Sequence, residues 1–231
     1  MADHGYTLHG DVVSCGVCGA KAQGFTQAGK HTYYCEKGKI QKSWTEIGGK
    51  YYFFDRASGV MRAGCTIDGI RLGASGDAPQ DDYTAEKIRT FIKAKKIVAS
   101  ITSPTDSVAV KKEKAFRWVM QFPYRQYRGV GEAMRTPGFE MLFANDIFDR
   151  GNGCCGSTSF AFAFLAVECG CKEVCVADDG VRAGGHAWVT MEGSNNVYDI
   201  VFAKAKGFGK NYDCAVSDYR RYAPRKTYIG G

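Results

Sequence analysis

The sequence predicts an α+β protein in which short β-hairpins precede a larger mixed domain. Three observations support this: a Gly- and aromatic-rich stretch over residues 24–72, amphipathic helical patterns over 84–101 and 106–121, and an apolar run at 160–167 followed by alternating segments. The predicted organisation is an N-terminal segment (1–23), hairpin repeats (24–72), a turn-rich linker (73–83) and a second domain (84–231).

Composition excludes several classes of protein. The 231 residues are 45% hydrophobic and 24% charged, which is incompatible with a disordered polymer. The formal charge of +7 suits acidic polymers such as anionic cell wall but is too dispersed to indicate nucleic acid. The longest apolar run has eight residues, against the roughly 20 that span a bilayer. We expect no membrane span, no nucleic-acid partner and no cofactor, and the first ten residues show no export signal.

An internal repeat defines the region 24–72. The segment KHTYYCEKGKIQKSW, from Lys30, matches KYYFFDRASGVMRAGC, from Lys50. The aromatic pairs YY and FF align, as do Gly38 and Gly59. Each copy predicts an aromatic strand, a Gly turn and a second short strand, which is a β-hairpin. Because one hairpin is marginally stable in water, we expect the copies to pack on each other.

The order of an aromatic residue, GK, YYF and then Gly with an apolar residue resembles the cell-wall or choline-binding repeats of Gram-positive surface proteins. The resemblance implies an extracellular or cell-surface location and a cell-wall polymer or choline as partner. In such repeats, aromatic rings of successive hairpins enclose a quaternary ammonium by cation–π attraction. The ligand-binding candidates here are Trp44, Tyr52 and Phe54. The alternative is a structural spacer made of packed aromatic strands.

Four N-terminal residues form a second candidate site. Cys15 and Cys18 make a CxxC pair, and His31 and Cys35 follow at a spacing close to that of a zinc finger. Zinc binding, a disulfide and packed thiols all remain open from the sequence.

The segment RGNGCCGSTSFAFAFLAVECG, from Arg150, carries the strongest chemical signal. Glycines and small polar residues precede a nearly all-apolar stretch, which predicts a loop leading into a buried helix. A cysteine at that junction meets unpaired backbone N–H groups and the positive end of the helix, and both favour a thiolate.

A histidine and an aspartate lie in two later segments in which apolar and other residues alternate. His186 lies in GGHAWVTM, and Asp199 lies between apolar neighbours in NVYDIVF; both segments predict strands. A buried carboxylate needs a partner, and His186 is the natural one. The two side chains share a face if the connecting loop has an even length. Loops at 192–193, 193–194 and 193–196 all satisfy this condition.

These blocks resemble the transglutaminase-like superfamily, whose papain-like core places Cys, His and Asp in this chain order. The spacing after Cys155 matches the family's Ala-Phe, Leu and Gly positions, whereas counting from Cys154 loses these matches. HAW at 186–188, YD at 198–199 and EKAFRWV at 113–119 match further blocks. The resemblance covers roughly residues 84–203 and implies a central helix packed against an antiparallel sheet.

The resemblance implies a cysteine-dependent enzyme that acts on peptide or protein amides. Cys155 would attack the carbonyl, His186 would transfer protons, and Asp199 would orient the imidazole. Hydrolysis is slightly favoured over Gln-Lys cross-linking, because water needs no acceptor pocket. The alternative is a non-catalytic wall-binding or choline-binding surface protein whose transglutaminase-like domain is an inert scaffold.

Overall fold

The computed structural model describes residues 5–128, 133, 136–179, 185–191, 194–219 and 225–231. Contacts divide the chain into two compact units, Met1–Thr84 and Ala85–Gly231. The first is built from short strands and the second from helices and a sheet. The predicted α+β class is confirmed.

The first unit consists of short strands joined by tight turns. They are β1 (Tyr6–His9), β2 (Val12–Cys15), β3 (Gly24–Ala28), β4 (His31–Glu36), β5 (Lys39–Ile40), β6 (Ser43–Ile47), β7 (Lys50–Phe54), β8 (Thr66–Ile67) and β9 (Ile70–Arg71). The first five close into a barrel in the order β1-β2-β5-β4-β3, and β6-β7 and β8-β9 form two-stranded sheets. The predicted boundary at 23/24 therefore falls inside the barrel.

The sequence repeat corresponds to a strand, a glycine turn and a return segment in both copies. In the first copy, β4 returns as β5 through Gly38, which has a φ of 85°. In the second, the return is a single bridge between Phe54 and Met61. A Cβ at Gly59 would lie 2.5 Å from Ile40 Cδ1, so this turn requires glycine for space as well as for its positive φ.

The helices are α1 (Asp82–Ile101), α2 (Val108–Met120), α3 (Phe139–Arg150), α4 (Cys155–Glu168) and α5 (Ile200–Lys206). The two amphipathic helices predicted over 84–101 and 106–121 are present as α1 and α2. The second starts at its N-cap Ser107, whose hydroxyl accepts the Val110 N–H.

The apolar helix α4 is the centre of the second unit. Residues 155–167 are all buried, as expected for a helix that is apolar on every side. Aromatic rings from the neighbouring helices pack on it: Phe116 contacts Phe162 with ring centroids 5.1 Å apart, and Phe91 contacts Phe164 at 4.7 Å. This packing fixes the N-terminal end of α4, where the two adjacent cysteines lie.

An antiparallel sheet covers one side of α4. Its strands are β10 (Val174–Asp178), β11 (Ala187–Met191), β12 (Ser194–Tyr198), β13 (Cys214–Ala215) and β14 (Arg225–Gly230). Their order is β13-β12-β11-β10-β14, and α4 packs against β10, β11 and β14. The second unit thus has a central helix packed against an antiparallel sheet.

Candidate active site

A histidine and an aspartate form a short polar contact in the second unit. His186 Nε2 lies 2.6 Å from Asp199 Oδ2, and both residues are buried. The same carboxylate accepts a hydrogen bond from Tyr219 Oη at 2.5 Å, and Oδ1 accepts the Phe202 N–H at 2.9 Å. Because a carboxylate only accepts hydrogen bonds, we assign the imidazole proton to Nε2, which leaves a lone pair on Nδ1.

Strand register brings these two side chains together. Val189 lies opposite Tyr198, and the register then shifts by two residues to place Met191 opposite Ser194. The first of these registers, extended by one residue, places Asp199 opposite Trp188, and His186 lies on the same face as Trp188 because the two are two residues apart. The later shift of two residues preserves this face, whereas a shift of one would not. The predicted loop positions 192 and 193 lie outside the described residues.

The strand predicted across NVYDIVF is wrong in its second half. β12 ends at Tyr198, and Asp199 is the N-cap of α5. Its carboxylate accepts the Phe202 N–H, the typical hydrogen bond of an aspartate N-cap. The alternating apolar and polar residues of this segment are typical of a strand, so the sequence did not predict a helix start at Asp199. Asp199 therefore both caps a helix and holds the imidazole.

Aromatic rings enclose the imidazole. Phe202 stacks on His186 with centroids 4.6 Å apart and an interplanar angle of 17°. The ring centroid of the buried Trp188 lies 6.1 Å from that of His186 and 5.0 Å from that of Tyr219. The histidine–aspartate pair is therefore shielded from water, which strengthens its electrostatic interaction.

The Cys155 thiol lies next to the backbone on both sides of His186. Cys155 is the first residue of α4, and its Sγ donates to the Gly185 carbonyl at 3.9 Å. The sulfur also accepts the Ala187 N–H. Among the described residues, Nδ1 of His186 has no hydrogen-bond partner. The structure thus brings the three predicted catalytic residues into one buried region.

Cys154 accepts more hydrogen bonds than Cys155 does. Its sulfur accepts from the Cys155 thiol and from the backbone N–H groups of Ser157 and Gly156, and it lies 3.6 Å from Ser157 Oγ. These hydrogen bonds, led by that of Cys155, lower the pKa of Cys154 to about 6 despite its burial.

The two thiols titrate as a pair. The hydrogen bond to Cys154 and burial both raise the pKa of Cys155. The pair therefore loses its first proton below the usual thiol pKa and its second well above it. The hydrogen bonds that Cys154 accepts therefore favour a thiolate at this position, next to the predicted nucleophile.

A buried carboxylate that the sequence did not predict, Asp146, is linked to Cys154 through Ser157. Asp146 of α3 accepts the Ser157 hydroxyl at 2.8 Å and pairs with Arg128, whose Nη2 lies 2.9 Å from Asp146 Oδ1. The hydrogen bond from Arg128 to this carboxylate raises the pKa of the guanidinium. Ser157 donates its only hydroxyl hydrogen to Asp146, so its oxygen presents a lone pair to the Cys154 sulfur 3.6 Å away. No sequence signal links these residues, because they meet only when α3 packs on α4.

The three ligand-binding candidates in the first unit do not share one face. Trp44 lies directly opposite Phe53 across β6 and β7, whereas Tyr52 and Phe54 point to the other side. Trp44 is fully buried, and its indole N–H donates to Asp68 at 2.8 Å. The predicted cage of Trp44, Tyr52 and Phe54 is therefore wrong, because two faces of a hairpin cannot enclose one cation.

We expect Trp44→Ala to lower the free energy of unfolding by about 3–5 kcal/mol, the usual cost of removing a buried Trp side chain. Guanidinium denaturation of the full chain measures this loss. Phe25→Ala is the matched control, because Phe25 is 47% exposed and its removal should cost less than about 1 kcal/mol. Equal losses in the two variants would contradict the structural role of Trp44.

The zinc candidates do not converge either. His31 starts β4 opposite Ala28, whereas Cys35 lies near the other end of that strand, about 13 Å further along. Cys15 is buried in β2, and Cys18 is exposed in the following turn. Within the described part of the chain, no three His, Cys, Asp or Glu side chains are placed to hold a metal ion.

Comparison with known proteins identified no family, but several solved structures resemble part of the chain. No family model and no curated protein match the chain. Similar solved structures include the choline-binding domain of Spr1274 from Streptococcus pneumoniae, with 24% identity and a TM-score of 0.29 over 34% of this chain and 98% of that one. Choline binding protein F, from the same organism, has 26% identity and a TM-score of 0.29 over 34% of this chain and 27% of its own.

A third neighbour is CbpJ of S. pneumoniae, with 20% identity and a TM-score of 0.28 over 33% of this chain and 28% of that one. One structure of choline binding protein F was determined in the presence of a peptidoglycan analogue. All these likenesses cover about a third of the chain, and none bears on acyl transfer. Among the described helices, none is long and apolar enough to cross a membrane.

Proposed function

We propose that the second unit is a cysteine-dependent enzyme that transfers acyl groups from peptide or protein amides through an acyl-enzyme. One observation carries this proposal: the Cys155 sulfur contacts the backbone on both sides of His186, and the imidazole of His186 is bonded to the buried Asp199. A nucleophile, a base and a group that orients the base are the three parts that nucleophilic catalysis requires.

The proposed mechanism begins when the Cys155 thiol leaves the Gly185 carbonyl and transfers its proton to Nδ1 of His186. Asp199 keeps the other proton on Nε2 and stabilises the imidazolium. The sulfur attacks the amide carbonyl, and the amine departs with the proton from Nδ1 as a thioester forms. His186 then takes a proton from water or a second amine, whose attack releases the acyl group.

The donor for the oxyanion follows from the hydrogen bonds of the cysteine pair. The N–H groups of Gly156 and Ser157 are directed to the Cys154 sulfur. The backbone N–H of Cys155, at the start of α4, is therefore the proposed donor to the developing negative charge. An attack from the first residue of a helix also benefits from the positive end of its dipole.

Hydrolysis and cross-linking are distinguished by the acceptor. A glutamine-containing peptide is incubated with and without a labelled primary amine, and the products are followed by mass spectrometry. We propose hydrolysis, so shortened or deamidated peptide should predominate even with the amine present. Incorporation of the amine as the main product would assign cross-linking instead.

The paired thiols should be reactive at low pH. Iodoacetamide labelling of the pair should reach half its maximal rate near pH 6, because the pKa of Cys154 is lowered to about 6, whereas an ordinary thiol reaches it near pH 8.5. Mass spectrometry across a pH series measures this midpoint, with N-acetylcysteine as reference. A midpoint near 8.5 in the unmodified protein would contradict the paired titration.

The site of labelling separates the enzyme from an inert scaffold. Labelling of Cys155 that disappears in His186→Ala supports catalysis, because only the proposed acid–base partner is lost. Labelling confined to Cys154 and unaffected by His186→Ala supports the scaffold, because hydrogen bonds within the start of α4 already account for that thiolate.

For the first unit we propose cation binding as a second candidate function. The half-exposed Phe25 lies 5.1 Å from both Tyr34 and Tyr52, measured between ring centroids. Such a partly exposed group of rings suits a quaternary ammonium such as choline on a cell-wall polymer, and a surface location would follow. Titration with choline, followed by intrinsic fluorescence, should saturate in the unmodified chain and not in Phe25→Ala.

A further inference from the structure

A pocket of about 190 Å³ lies beside the two cysteines in the second unit. Its walls are mainly apolar and are formed by Phe122, Tyr124, Gly153, Thr158, Ile200, Val201, Lys204 and Ala205. Pockets for drug-sized ligands are about 300–1,000 Å³. This pocket is therefore suited to a single side chain.

One wall of the pocket is joined to the start of α4. Gly153 immediately precedes the cysteine pair and is bridged to Tyr124, since the Arg125 N–H donates to the Gly153 carbonyl at 2.9 Å. A Cβ at Gly153 would lie 2.3 Å from Ser157 Cβ, so only glycine permits this approach. Burial and then the charges of the two cysteines raise the pKa of Tyr124.

The opposite wall is the helix that Asp199 caps. Ile200 directly follows Asp199, and Val201 and Ala205 lie on the same helix α5. At one end, Lys204 Nζ donates to the Phe122 carbonyl at 2.8 Å and joins the two walls. The pocket thus lies between the helix start that holds the nucleophile and the helix start that holds the imidazole.

We propose that this pocket binds an apolar side chain, of leucine or phenylalanine size, next to the amide that Cys155 attacks. The proposal rests on the function proposed above and defines its substrates as peptides with such a residue flanking the reacting amide. Apolar walls favour an apolar side chain because its transfer removes hydrocarbon surface from water. The position of the pocket between the two catalytic elements would hold the amide near the sulfur.

Alkylation tests the pocket without requiring amide turnover. The reagents are iodoacetamide and N-benzyl iodoacetamide; in both, a sulfur–carbon bond forms as iodide leaves. After normalisation to N-acetylcysteine, the benzyl reagent should label Cys155 at least about tenfold faster at pH 7. Ala205→Phe fills the pocket and should bring the ratio of the two normalised labelling rates, benzyl reagent over iodoacetamide, close to one. Lys210→Phe adds the same ring to an exposed position outside the pocket and should preserve the ratio.

A ratio near one in the unmodified protein, or an unchanged ratio in Ala205→Phe, would overturn the proposal. Circular dichroism checks the fold of this variant, and Val201→Trp supplies a second filled pocket. A parallel assay compares glutamine peptides that carry Leu or Gly beside the glutamine. A benzyl preference without turnover of either peptide refutes the enzyme and leaves the pocket; equal turnover of both refutes the pocket and leaves the enzyme.

Discussion

Cys155→Ala is expected to lower acyl-transfer activity by about a thousandfold or more, since the proposed thioester forms on the Cys155 sulfur. Cys154→Ser is expected to keep activity within about tenfold, because serine is a favoured N-cap residue and preserves the start of α4. The measurement is kcat/KM on a glutamine-containing peptide for both variants. The comparison is informative because the hydrogen bonds of the pair lower the pKa of Cys154 and raise that of Cys155.

The pH dependence of Cys154→Ser provides the control. The hydrogen bond between the thiols is the largest cause that raises the pKa of Cys155. Its loss should lower that pKa, so labelling of Cys155 should begin at lower pH in Cys154→Ser than in the unmodified protein. Inactivity of Cys154→Ser together with full activity of Cys155→Ala would assign the nucleophile to Cys154 and reverse the roles proposed here.

The sequence contained enough information to predict the helix that carries the cysteines. Small residues before an apolar run predict a loop and a buried helix start, and α4 begins at Cys155 as this pattern requires. The position of Asp199 at a helix start is more difficult to predict, because an aspartate within alternating apolar residues fits a strand as well as an N-cap. The hydrogen bonds from the Phe202 N–H to its carboxylate and from the Ala203 N–H to its carbonyl identify the N-cap.

The face of Trp44 could have been predicted from the turn. Gly48 and Gly49 form a two-residue loop between β6 and β7, and such a loop fixes the register of a hairpin. Counting back from it places Trp44 opposite Phe53, on the other face from Tyr52. The burial of Trp44 against Asp68 could not be predicted, because Asp68 lies outside this hairpin.

The thiol pair shows what sequence alone does not provide. Its lowered pKa depends on the hydrogen bond from the Cys155 thiol and on the direction of the Ser157 and Gly156 N–H groups. Two adjacent cysteines in a sequence do not show which pKa is lowered, because that difference depends on where the start of α4 places the N–H groups around each sulfur.

Asp199→Asn is expected to lower kcat by about 10³ to 10⁴ and to shift Tm by no more than a few degrees. Asparagine is as good an N-cap as aspartate, so its oxygen can still accept the Phe202 N–H. Its NH₂ group then faces Nε2 of His186. A donor at that position moves the imidazole proton to Nδ1, and Nδ1 can no longer accept the Cys155 proton.

Activity and stability measured together distinguish this positioning role from a structural one. Tyr219→Phe removes the other hydrogen bond to Asp199 Oδ2 but leaves the carboxylate, so it should lower kcat by less than about tenfold. Asp199→Ala should lose activity and also about 1 kcal/mol of stability, because it removes the cap. If Asp199→Asn kept kcat near that of the unmodified protein, the contact between His186 and Asp199 would be structural and the proposed mechanism would fail. A loss of kcat without a loss of stability is the result expected when the carboxylate acts through the imidazole.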